Sequence, residues 1–455
     1  MPQNLSDAIF ITKGMRDIFS PKSQLRAMMQ FELALTSTLE EHGLAQKGSS
    51  DSLAAFGDAA FVDCDALQGE SVAAGNIAIP FLRQLTASLA GTNQTATRSL
   101  HLGATSQDLL DTALVLQLRE AFQSIADKIA RLEIALMKQI RVHADTIMPG
   151  RTWLQPGPPT TFGLKLAGSL AALRRSSSRI EAVKTRALVL QFGGAVGTLS
   201  ALEEKGATVA RALAHRLKLP EPSVPWHSQR DNIAEVCASL AILMGTLGKL
   251  AGDIALLMQA EVSEVSEGAR EGKGGSSTMP HKRNPVSCAA ILAATHRAPG
   301  LASTMFSSMI QEHERGLGSW QAEWNVLPEL FCLTDGALAH AIDLIENLVV
   351  HPHRMRANID AMRGLPLSEA ISVALARKVG RPQANELLRR AMESASAQDS
   401  NLAGVLKSMP EVRAHLNEEQ IDSLLDPERY LGSARRFIRQ VLGDADAKEQ
   451  EPIHG

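Results

Sequence analysis

The side chains best suited to catalysis or ligand binding lie in residues 275–285, which read Gly-Ser-Ser-Thr-Met-Pro-His-Lys-Arg-Asn-Pro. The hydroxyls of Ser276 and Ser277 both donate and accept hydrogen bonds. Lys282 adds a positive charge and Asn284 a directional amide. A flexible linker is the alternative interpretation, but a linker needs neither the Met-Pro pair nor the Lys-x-Asn-Pro run. The stretch therefore predicts a donor-rich loop that binds a ligand or transfers a proton.

A second cluster, residues 101–108, reads His-Leu-Gly-Ala-Thr-Ser-Gln-Asp and precedes a long apolar pattern. Thr105 and Ser106 are typical of a helix start, where side-chain oxygens cap the first free amides. The same amides, at the positive end of the helix dipole, attract carboxylates. Capping alone would explain both hydroxyls, and a single histidine such as His101 is more often structural than catalytic. All three residues remain candidates for the site, with these structural roles as the alternative.

A third cluster lies in residues 150–163, which read Gly-Arg-Thr-Trp-Leu-Gln-Pro-Gly-Pro-Pro-Thr-Thr-Phe-Gly. It supplies Trp153 and Thr160 just before another helical pattern. Gln229 and Arg315 are further polar groups that interrupt apolar stretches. Hydroxyls and basic groups that recur at predicted helix edges fit a small substrate with several carboxylates.

The sequence gives no sign of a cofactor or a metal centre. It lacks a phosphate-loop or dinucleotide-binding pattern, and it lacks HExxH or an equivalent ligand spacing. His351 and His353 flank a proline and are predicted to be a surface pair at a helix start. We therefore expect no cofactor and no metal.

Composition indicates a soluble globular protein. The 455 residues are 45% hydrophobic and 21% charged, with a formal net charge of -3. Such a balance offers no broad basic surface for nucleic acid. The four cysteines have no CxxC spacing, no apolar run approaches the length of a membrane span, and the first residues do not resemble a signal peptide. We expect a cytoplasmic protein with neither a membrane nor a nucleic-acid partner.

Long helices must position these clusters. Apolar residues recur at steps of three and four from Leu118 to Ile140 and again from Ile233 to Leu257, which predicts two helices of bundle type. The second pattern, taken over 229–265, predicts a helix of about 36 residues, or roughly 54 Å. Further helical patterns cover about 160–190, 286–309 and 326–350. The fold class predicted is all-α, with long helices that outrun one core and favour association between subunits.

The pattern also predicts three domains. Short helices broken by Gly, Ser and Asp occupy residues 1–111, the long helices occupy 112–351, and shorter helices follow in 352–455. We therefore expect an N-terminal helical domain, a central long-helix bundle and a C-terminal helical domain.

The three clusters together resemble a known family. Residues 275–285 match the GSSxMPxKxNP motif of the fumarase/aspartase superfamily, and residues 101–112 and 151–162 are similar to its other two shared regions. Residues 15–20 and 425–432 resemble its adenylosuccinate-lyase branch. The resemblance runs nearly from end to end of the chain.

This resemblance implies a fold, an assembly and a chemistry. Members are three-domain helical proteins whose central helices form a tetramer core, and each active site draws on three subunits. They add or eliminate a group β to a carboxylate, through a carbanion stabilised as an aci-carboxylate. By resemblance Ser276 transfers the proton, and Lys282 and Asn284 bind a substrate carboxylate. Because histidine titrates near neutrality, His101 and His281 are alternative proton donors, and the predicted catalytic residues are Ser276, Lys282 and His101. The substrate-binding residues are Thr105, Ser106, Thr160, Gln229, Ser277, Asn284 and Arg315.

Two tryptophans mark departures from the family's lyases. The second shared region of those lyases usually reads Gly-Arg-Thr-His, and its histidine is tied to the proton of the leaving group; here the position is Trp153. Trp324 lies in a stretch that resembles adenylosuccinate lyases. At the matching position those lyases carry an arginine suited to a nucleotide phosphate. Tryptophan cannot form the charge-assisted bonds of that arginine, so a nucleotide substrate is disfavoured. Trp153 is predicted to shape the pocket, with simple core filling as the alternative.

With these departures the chain resembles the lactonising branch of the superfamily, and this resemblance implies intramolecular lactonisation of a small tricarboxylate. An ionised carboxylate of the substrate would attack its own double bond, so no leaving group would need a proton and one of two acid–base groups becomes dispensable. An adenylosuccinate- or argininosuccinate-type lyase is the nearest alternative, and a non-catalytic protein on the same fold is a more distant one. The resemblance also implies a homotetramer with shared active sites.

Overall fold

Helices dominate the structure, as the sequence predicts. The computed structural model describes residues 4–268, 270, 273–275, 279 and 282–443. The helices of the N-terminal part are α1 (Asp7–Phe10), α2 (Lys13–Ile18), α3 (Pro21–Glu41), α4 (Ser49–Ala54), α5 (Cys64–Ala74) and α6 (Ala78–Ala90). The central helices are α7 (Ser106–Val142), α8 (Phe162–Ala187), α9 (Gly206–Leu217), α10 (Asp231–Leu257), α11 (Val286–Ser308), α12 (Ser319–Glu323) and α13 (Val326–Glu346).

The remaining elements are short. The last helices are α14 (Pro352–Asp360), α15 (Ser368–Val379), α16 (Arg381–Ala397), α17 (Leu402–Ser408), α18 (Pro410–Arg413), α19 (Glu418–Leu424) and α20 (Ala434–Leu442). Turns of 3-10 helix cover Ala96–Arg98, Ser200–Lys205, Leu365–Leu367 and Pro427–Arg429. The strands are β1 (Ile147–Thr152), β2 (Gln155–Thr161), β3 (Val265–Ser266) and β4 (Val349–Val350), and they pair antiparallel as β1 with β2 and β3 with β4.

The two predicted apolar stripes are buried along their whole length. On α7 they comprise Leu118, Phe122, Ile125, Ile129, Leu132, Leu136 and Ile140, each at most 2% exposed. On α10 they run from Ile233 to Leu257, with no member more than 4% exposed. Burying these side chains supplies the main stabilisation of both helices, because helix propensity alone is a weak force. The predicted helices are confirmed.

The predicted length of the second helix was wrong, since α10 ends at Leu257 rather than near 265. Ser263 takes a left-handed φ of 50°, and the backbone N–H of Glu264 donates to the carbonyl of Leu257 at 2.9 Å. This turn directs Glu264 to Arg151, whose guanidinium donates to both carboxylate oxygens at 2.6 and 2.9 Å. Apolar periodicity continues through the turn, so the sequence pattern alone did not reveal it.

The chain forms two compact units. The first comprises Met1–Ile129, Arg175–Leu247 and Ala290–Ala339, and the second comprises Ala130–Arg174, Gly248–Ala289 and His340–Gly455. The helices α7, α8, α10, α11 and α13 each contribute residues to both units. The predicted division at residues 111 and 351 stays a prediction.

In the first unit a close backbone contact seats the N-terminal helices on α13. A Cβ built on Gly336 would lie 1.9 Å from the carbonyl oxygen of Phe10, so only glycine allows this approach. Beside it, Asp335 accepts hydrogen bonds from Thr12 at 2.5 Å and from Lys128 at 2.7 Å. Phe331 packs edge-to-face on Phe122, with ring centroids 5.1 Å apart. The α1–α2 segment is thereby fixed against α7 and α13.

Helix α10 is both long and apolar. Among the described residues it is the one helix whose length of 27 residues and apolar composition would suffice to cross a membrane. Half of its most apolar window is buried inside the protein. A core helix has the same length and composition, and the stripe from Ile233 to Leu257 is buried, although Ile242 and Leu256 of the same helix are exposed.

Candidate active site

The start of α7 is organised around Asp108, which is fully buried. Its carboxylate accepts the backbone N–H groups of Thr105 at 3.0 Å, Gly193 at 3.0 Å and Gly194 at 2.8 Å. It also lies 2.7 Å from Nε2 of His227, which is 4% exposed. The carboxylate thus has three backbone N–H donors and a histidine ring nitrogen as partners. Asp108 therefore fixes the first turn of α7 to the loop that follows α8.

Thr105 and Ser106 lie at this helix start, as predicted, since α7 begins at Ser106. Both residues are partly buried. Asp108, rather than either hydroxyl, bonds the free amide of Thr105. Neither hydroxyl is used in a hydrogen bond to a described residue, which leaves both free for a ligand at the positive end of the helix dipole.

His101 is bound to a buried carboxylate. Its Nδ1 lies 2.6 Å from Oε1 of Glu32, and its backbone N–H donates to Oε2 at 3.1 Å. Burial disfavours the imidazolium, but the charge and hydrogen bond of Glu32 outweigh it, so the pKa of His101 is raised above 6.5. His101 also has a left-handed φ of 57°. The Glu32 carboxylate therefore favours the protonated form of the His101 ring.

Arg315 is held by Gln107, a residue that the sequence did not single out. The Nε of Arg315 donates to Oε1 of Gln107 at 3.2 Å, and Nη2 donates to the carbonyl of Ala195 at 3.2 Å. The amide of Gln107 in turn donates to the carbonyl of His227 at 2.8 Å and to Asp111 at 3.2 Å. Arg315 is only partly buried and pairs with no carboxylate in the described part of the chain, so its charge is available to an anion.

Arg230 has a structural role instead. It is 2% exposed and donates to Asp111 at 2.7 Å, while Glu323 binds it from the other side at 2.5 Å. The indole of Trp226 stacks 4.7 Å from its guanidinium. Burial raises the pKa of Glu323 to about 7, with the Asp111 carboxylate adding to the effect against the attraction of Arg230. The neighbouring Gln229 is exposed and remains accessible to a ligand.

Trp153 lies at the tip of the β1–β2 hairpin. It is 97% exposed, so the alternative of core filling does not hold within the described chain. Trp153 and Leu154 form the two-residue turn with φ of 54° and 62°, a left-handed conformation that bulky residues rarely adopt. Arg151 is the one ionisable side chain of the hairpin, and Glu264 neutralises it. The tip therefore presents an indole without an acid or a base.

Thr160 lies on β2 opposite Met148 of β1 and is partly buried. The next residue, Thr161, accepts the N–H of Leu164 at 3.1 Å and so caps α8. The hairpin itself was not predicted, because the Pro- and Gly-rich sequence lacks strand alternation.

The chain is anchored on both sides of the motif at residues 275–285, although Ser276 and Ser277 lie outside the described residues. Before it, Lys273 pairs with Asp343 at 2.6 Å and with Glu267 at 3.1 Å. After it, the N–H of Asn284 donates to the carbonyl of Gly274 at 2.9 Å. Glu267 also accepts the first amides of α11, from Ser287 at 3.0 Å and from Cys288 at 3.1 Å.

Lys282 and Asn284 follow this anchored flank. Lys282 is exposed, and its ammonium group pairs with no described carboxylate. Asn284 is partly buried. A lysine without a counter-ion is a suitable partner for a substrate carboxylate.

The predicted site residues thus fall into two sets. The first unit contains His101, Thr105, Ser106, Gln229 and Arg315. The second unit contains Trp153, Thr160, Lys282 and Asn284. Within the first unit the network of Asp108, Gln107 and His227 holds the start of α7 and the side chain of Arg315 together. The roles assigned to these residues stay predictions.

Sequence reasoning missed Gln107, His227 and Glu32. Their contacts join residues 69 to 208 positions apart, which no local pattern reveals. The one available signal was polarity at positions flanked by apolar residues, since buried polar groups need partners. Among the described residues, no group of three or more His, Cys, Asp or Glu could hold a metal ion. His351 is the N-cap of α14, as predicted.

Comparisons with known proteins agree with this geometry. The lyase family model matches residues 12–300, and a model of the adenylosuccinate lyase C-terminus matches residues 364–441. A 3-carboxy-cis,cis-muconate cycloisomerase of Pseudomonas aeruginosa is 47% identical over 453 residues, which are 99% of each chain. The crystal structure of a 3-carboxy-cis,cis-muconate lactonizing enzyme from Pseudomonas putida has a TM-score of 0.93 at 45% identity and covers 97% of this chain and 99% of that chain. A fumarate lyase from Mesorhizobium has a TM-score of 0.88 at 38% identity, covering 95% and 98%.

Proposed function

The chain belongs to the fumarase/aspartase superfamily, and from this premise we propose that it is a 3-carboxy-cis,cis-muconate cycloisomerase. The reaction is the intramolecular lactonisation of 3-carboxy-cis,cis-muconate to 4-carboxymuconolactone, a step of protocatechuate breakdown in the β-ketoadipate pathway. Similarity along the whole chain to relatives named for this activity supports the assignment.

The observation that carries the proposal is the indole at the tip of the β1–β2 hairpin. Trp153 occupies the position at which the lyases resembling this chain have a histidine, and the hairpin has no other side chain that could act as an acid. Elimination of an amine or hydroxide benefits from a general acid at the leaving group. Lactonisation has no such requirement, because the nucleophile is a carboxylate that is already ionised.

Binding would rest on the unpaired donors among the candidate residues. Arg315 and Lys282 each have a charge without a counter-ion among the described residues, which suits two of the three substrate carboxylates. The hydroxyls of Thr105, Ser106 and Thr160 and the amides of Gln229 and Asn284 add directional contacts, as would Ser277. Trp153 would shape the pocket and limit water access.

The chemical step needs one new bond and one proton. A substrate carboxylate attacks the double bond, the C–O bond forms, and the displaced electron pair becomes an enediolate on a second carboxylate. Lys282, with the donors at the start of α7, would stabilise that charge. Ser276 would then deliver a proton to carbon, and His101, protonated beside Glu32, is the second candidate donor.

The assembly completes the proposal. We expect a soluble cytoplasmic homotetramer that needs no cofactor and binds neither nucleic acid nor membrane. Its three domains would correspond to residues 1–111, 112–351 and 352–455. Active sites shared between subunits would combine candidate residues of different chains.

A spectrophotometric assay tests the function directly. With purified protein and 3-carboxy-cis,cis-muconate, absorbance of the conjugated diene should fall as the lactone forms. Ser276→Ala and Arg315→Ala should each reduce kcat/KM by at least about a hundredfold, since both remove interactions with the reacting substrate. An unchanged spectrum, together with release of fumarate from adenylosuccinate, would identify a lyase instead.

A further inference from the structure

A cavity of about 350 Å³ lies in the first unit, and none of the residues assigned above to the active site lines it. Its walls come from the α1–α3 segment, from α7 and from the start of α13. Sites for small molecules have volumes of about 300–1,000 Å³ and combine apolar walls with a few polar groups. The cavity therefore has the size of a ligand site.

Two hydrogen-bond donors on its wall lack partners. The guanidinium of Arg16 is partly buried and forms no hydrogen bond or ion pair with a described residue. The indole Nε1 of Trp324 is buried without an acceptor. A buried N–H without an acceptor is unfavourable by roughly 1–3 kcal/mol, so such groups are rare unless a ligand or water completes them.

The other buried indoles show that this lack is specific to Trp324. The Nε1 of Trp226 donates to the carbonyl of Leu190 at 3.0 Å, and that of Trp320 donates to Asp111 at 3.2 Å. Trp324 packs edge-to-face on Trp320, with ring centroids 5.0 Å apart. The ring of Trp324 is thus fixed in place, while its donor has no acceptor among the described residues.

The remaining lining determines which ligand fits. Phe19, Leu110, Leu114 and Pro328 form apolar walls that suit a flat hydrocarbon body. Asp111 also lines the cavity, but Arg230 and Trp320 already occupy its carboxylate. Asp7 is a second acidic residue of the lining, and its carboxylate accepts the backbone N–H of Asn4 at 3.0 Å. Both carboxylates of the lining therefore have partners of their own.

We propose that this cavity binds a small planar monocarboxylate, aromatic or unsaturated, through Arg16 and the indole N–H of Trp324. Arginine is suited to this role because its donors match the geometry of a carboxylate. The proposal does not depend on the proposed reaction, although Trp324 stands at the position of the lyases' phosphate-binding arginine.

Titration of the full-length protein with benzoate, followed by calorimetry and by tryptophan fluorescence, tests the site. Wild type should bind one benzoate per chain, and benzamide, the neutral isostere, should bind at least tenfold more weakly. Arg16→Gln should weaken benzoate binding at least tenfold. Trp324→Phe, which keeps a ring but removes the donor, should weaken it about threefold to tenfold.

Three controls separate the possible outcomes. Arg26→Gln removes an exposed arginine of α3 outside the cavity and should bind benzoate as wild type does. Arg315→Gln should also retain binding, because Arg315 belongs to the other site. Equal affinities in Arg16→Gln and Arg26→Gln, or binding lost only in Arg315→Gln, would refute the cavity site. Circular dichroism establishes whether each variant folds. If Trp324→Phe does not fold, Arg16→Lys replaces it, and its affinity for benzoate should be intermediate.

Discussion

Gln107 connects the exposed guanidinium of Arg315 to the buried polar groups at the start of α7. It is fully buried, and each end of its amide is used: Oε1 by Arg315, and Nε2 by His227 and Asp111. A buried amide with both ends bonded has one orientation, and Arg315 takes its position from it. Gln107 is therefore a positioning residue that acts through Arg315.

Replacing Gln107 with leucine tests this role. Gln107→Leu should lower kcat/KM about tenfold, mainly by raising KM, because the arginine loses its fixed position. Steady-state kinetics measure the effect. Gln123→Leu makes the same change at an exposed position of the same helix and should leave both constants unchanged.

A double variant distinguishes positioning from general damage. In an Arg315→Ala background, Gln107→Leu should have little further effect on kcat/KM, since the residue it positions is absent. A full additional tenfold loss would show that Gln107 acts by another route.

Glu323 gives the buried network a pH dependence. Its pKa is raised by burial to about 7, against an ordinary value of 4.5, so the folded protein retains a proton that the unfolded chain releases. Stability from this group is fully present below pH 4.5 and is lost as pH rises through about 7. At about 1.4 kcal/mol per unit of pKa, a shift from 4.5 to about 7 corresponds to a loss of roughly 3–4 kcal/mol.

The prediction concerns slopes. Urea denaturation between pH 5 and 8 should show the free energy of unfolding of wild type falling more steeply than that of Glu323→Gln, which cannot titrate there. Glu419→Gln, at an exposed position of α19, should keep the wild-type slope. Parallel curves for wild type and Glu323→Gln would mean that Glu323 does not titrate in this range.

At the scale of elements, the contact between α13 and the α1–α2 segment depends on one glycine. Gly336→Ala would place a Cβ 1.9 Å from the carbonyl oxygen of Phe10. The backbone fixes the positions of both atoms, so no side-chain rotation can relieve the clash. The variant should unfold about 2–4 kcal/mol more easily, because the N-terminal helices must move off α13. Chemical denaturation gives the value.

Gly245 provides the matched control. It lies inside α10, and a Cβ there would meet nothing within 4 Å. Gly245→Ala should stabilise the protein by up to about 1 kcal/mol through helix propensity. If both alanine variants gained stability, the close approach of Phe10 to α13 would not be a constraint.

The elements also show what the sequence could and could not predict. Apolar periodicity located α7 and α10 because one face of each is buried along its length, and the residues typical of a helix start at Ser106 are a local signal. The hairpin was not predicted, because hydrogen-bond pairing between β1 and β2 defines it, whereas its composition is not typical of strands. The contact of Asp108 with His227 escaped for a similar reason, since it joins residues 119 positions apart.

At the scale of the whole molecule, the candidate residues divide between two compact units. Arg315 belongs to the first and Lys282 to the second. Under the proposed homotetramer, one active site would combine Arg315 of one subunit with Lys282 of another. That arrangement makes two separately inactive variants able to complement each other.

Mixing subunits tests the sharing. Arg315→Ala and Lys282→Ala homotetramers, each inactive alone, should recover activity after they are dissociated and reassembled together. Random assembly at equal ratio would give about one quarter of the sites both intact residues, and hence about a quarter of wild-type activity. Light scattering should report a tetramer before and after. Continued inactivity of the mixed tetramers would place both residues of a site on one chain.

The turn of the β1–β2 hairpin also makes a case for engineering. Left-handed φ values at Trp153 and Leu154 are each unfavourable by about 1–3 kcal/mol, and Asn-Gly would relieve them. A laboratory selection for heat resistance alone should therefore discard the indole early. A selection for both heat resistance and turnover should retain the indole. At the hairpin tip, directed evolution would therefore meet a conflict between thermal stability and catalysis.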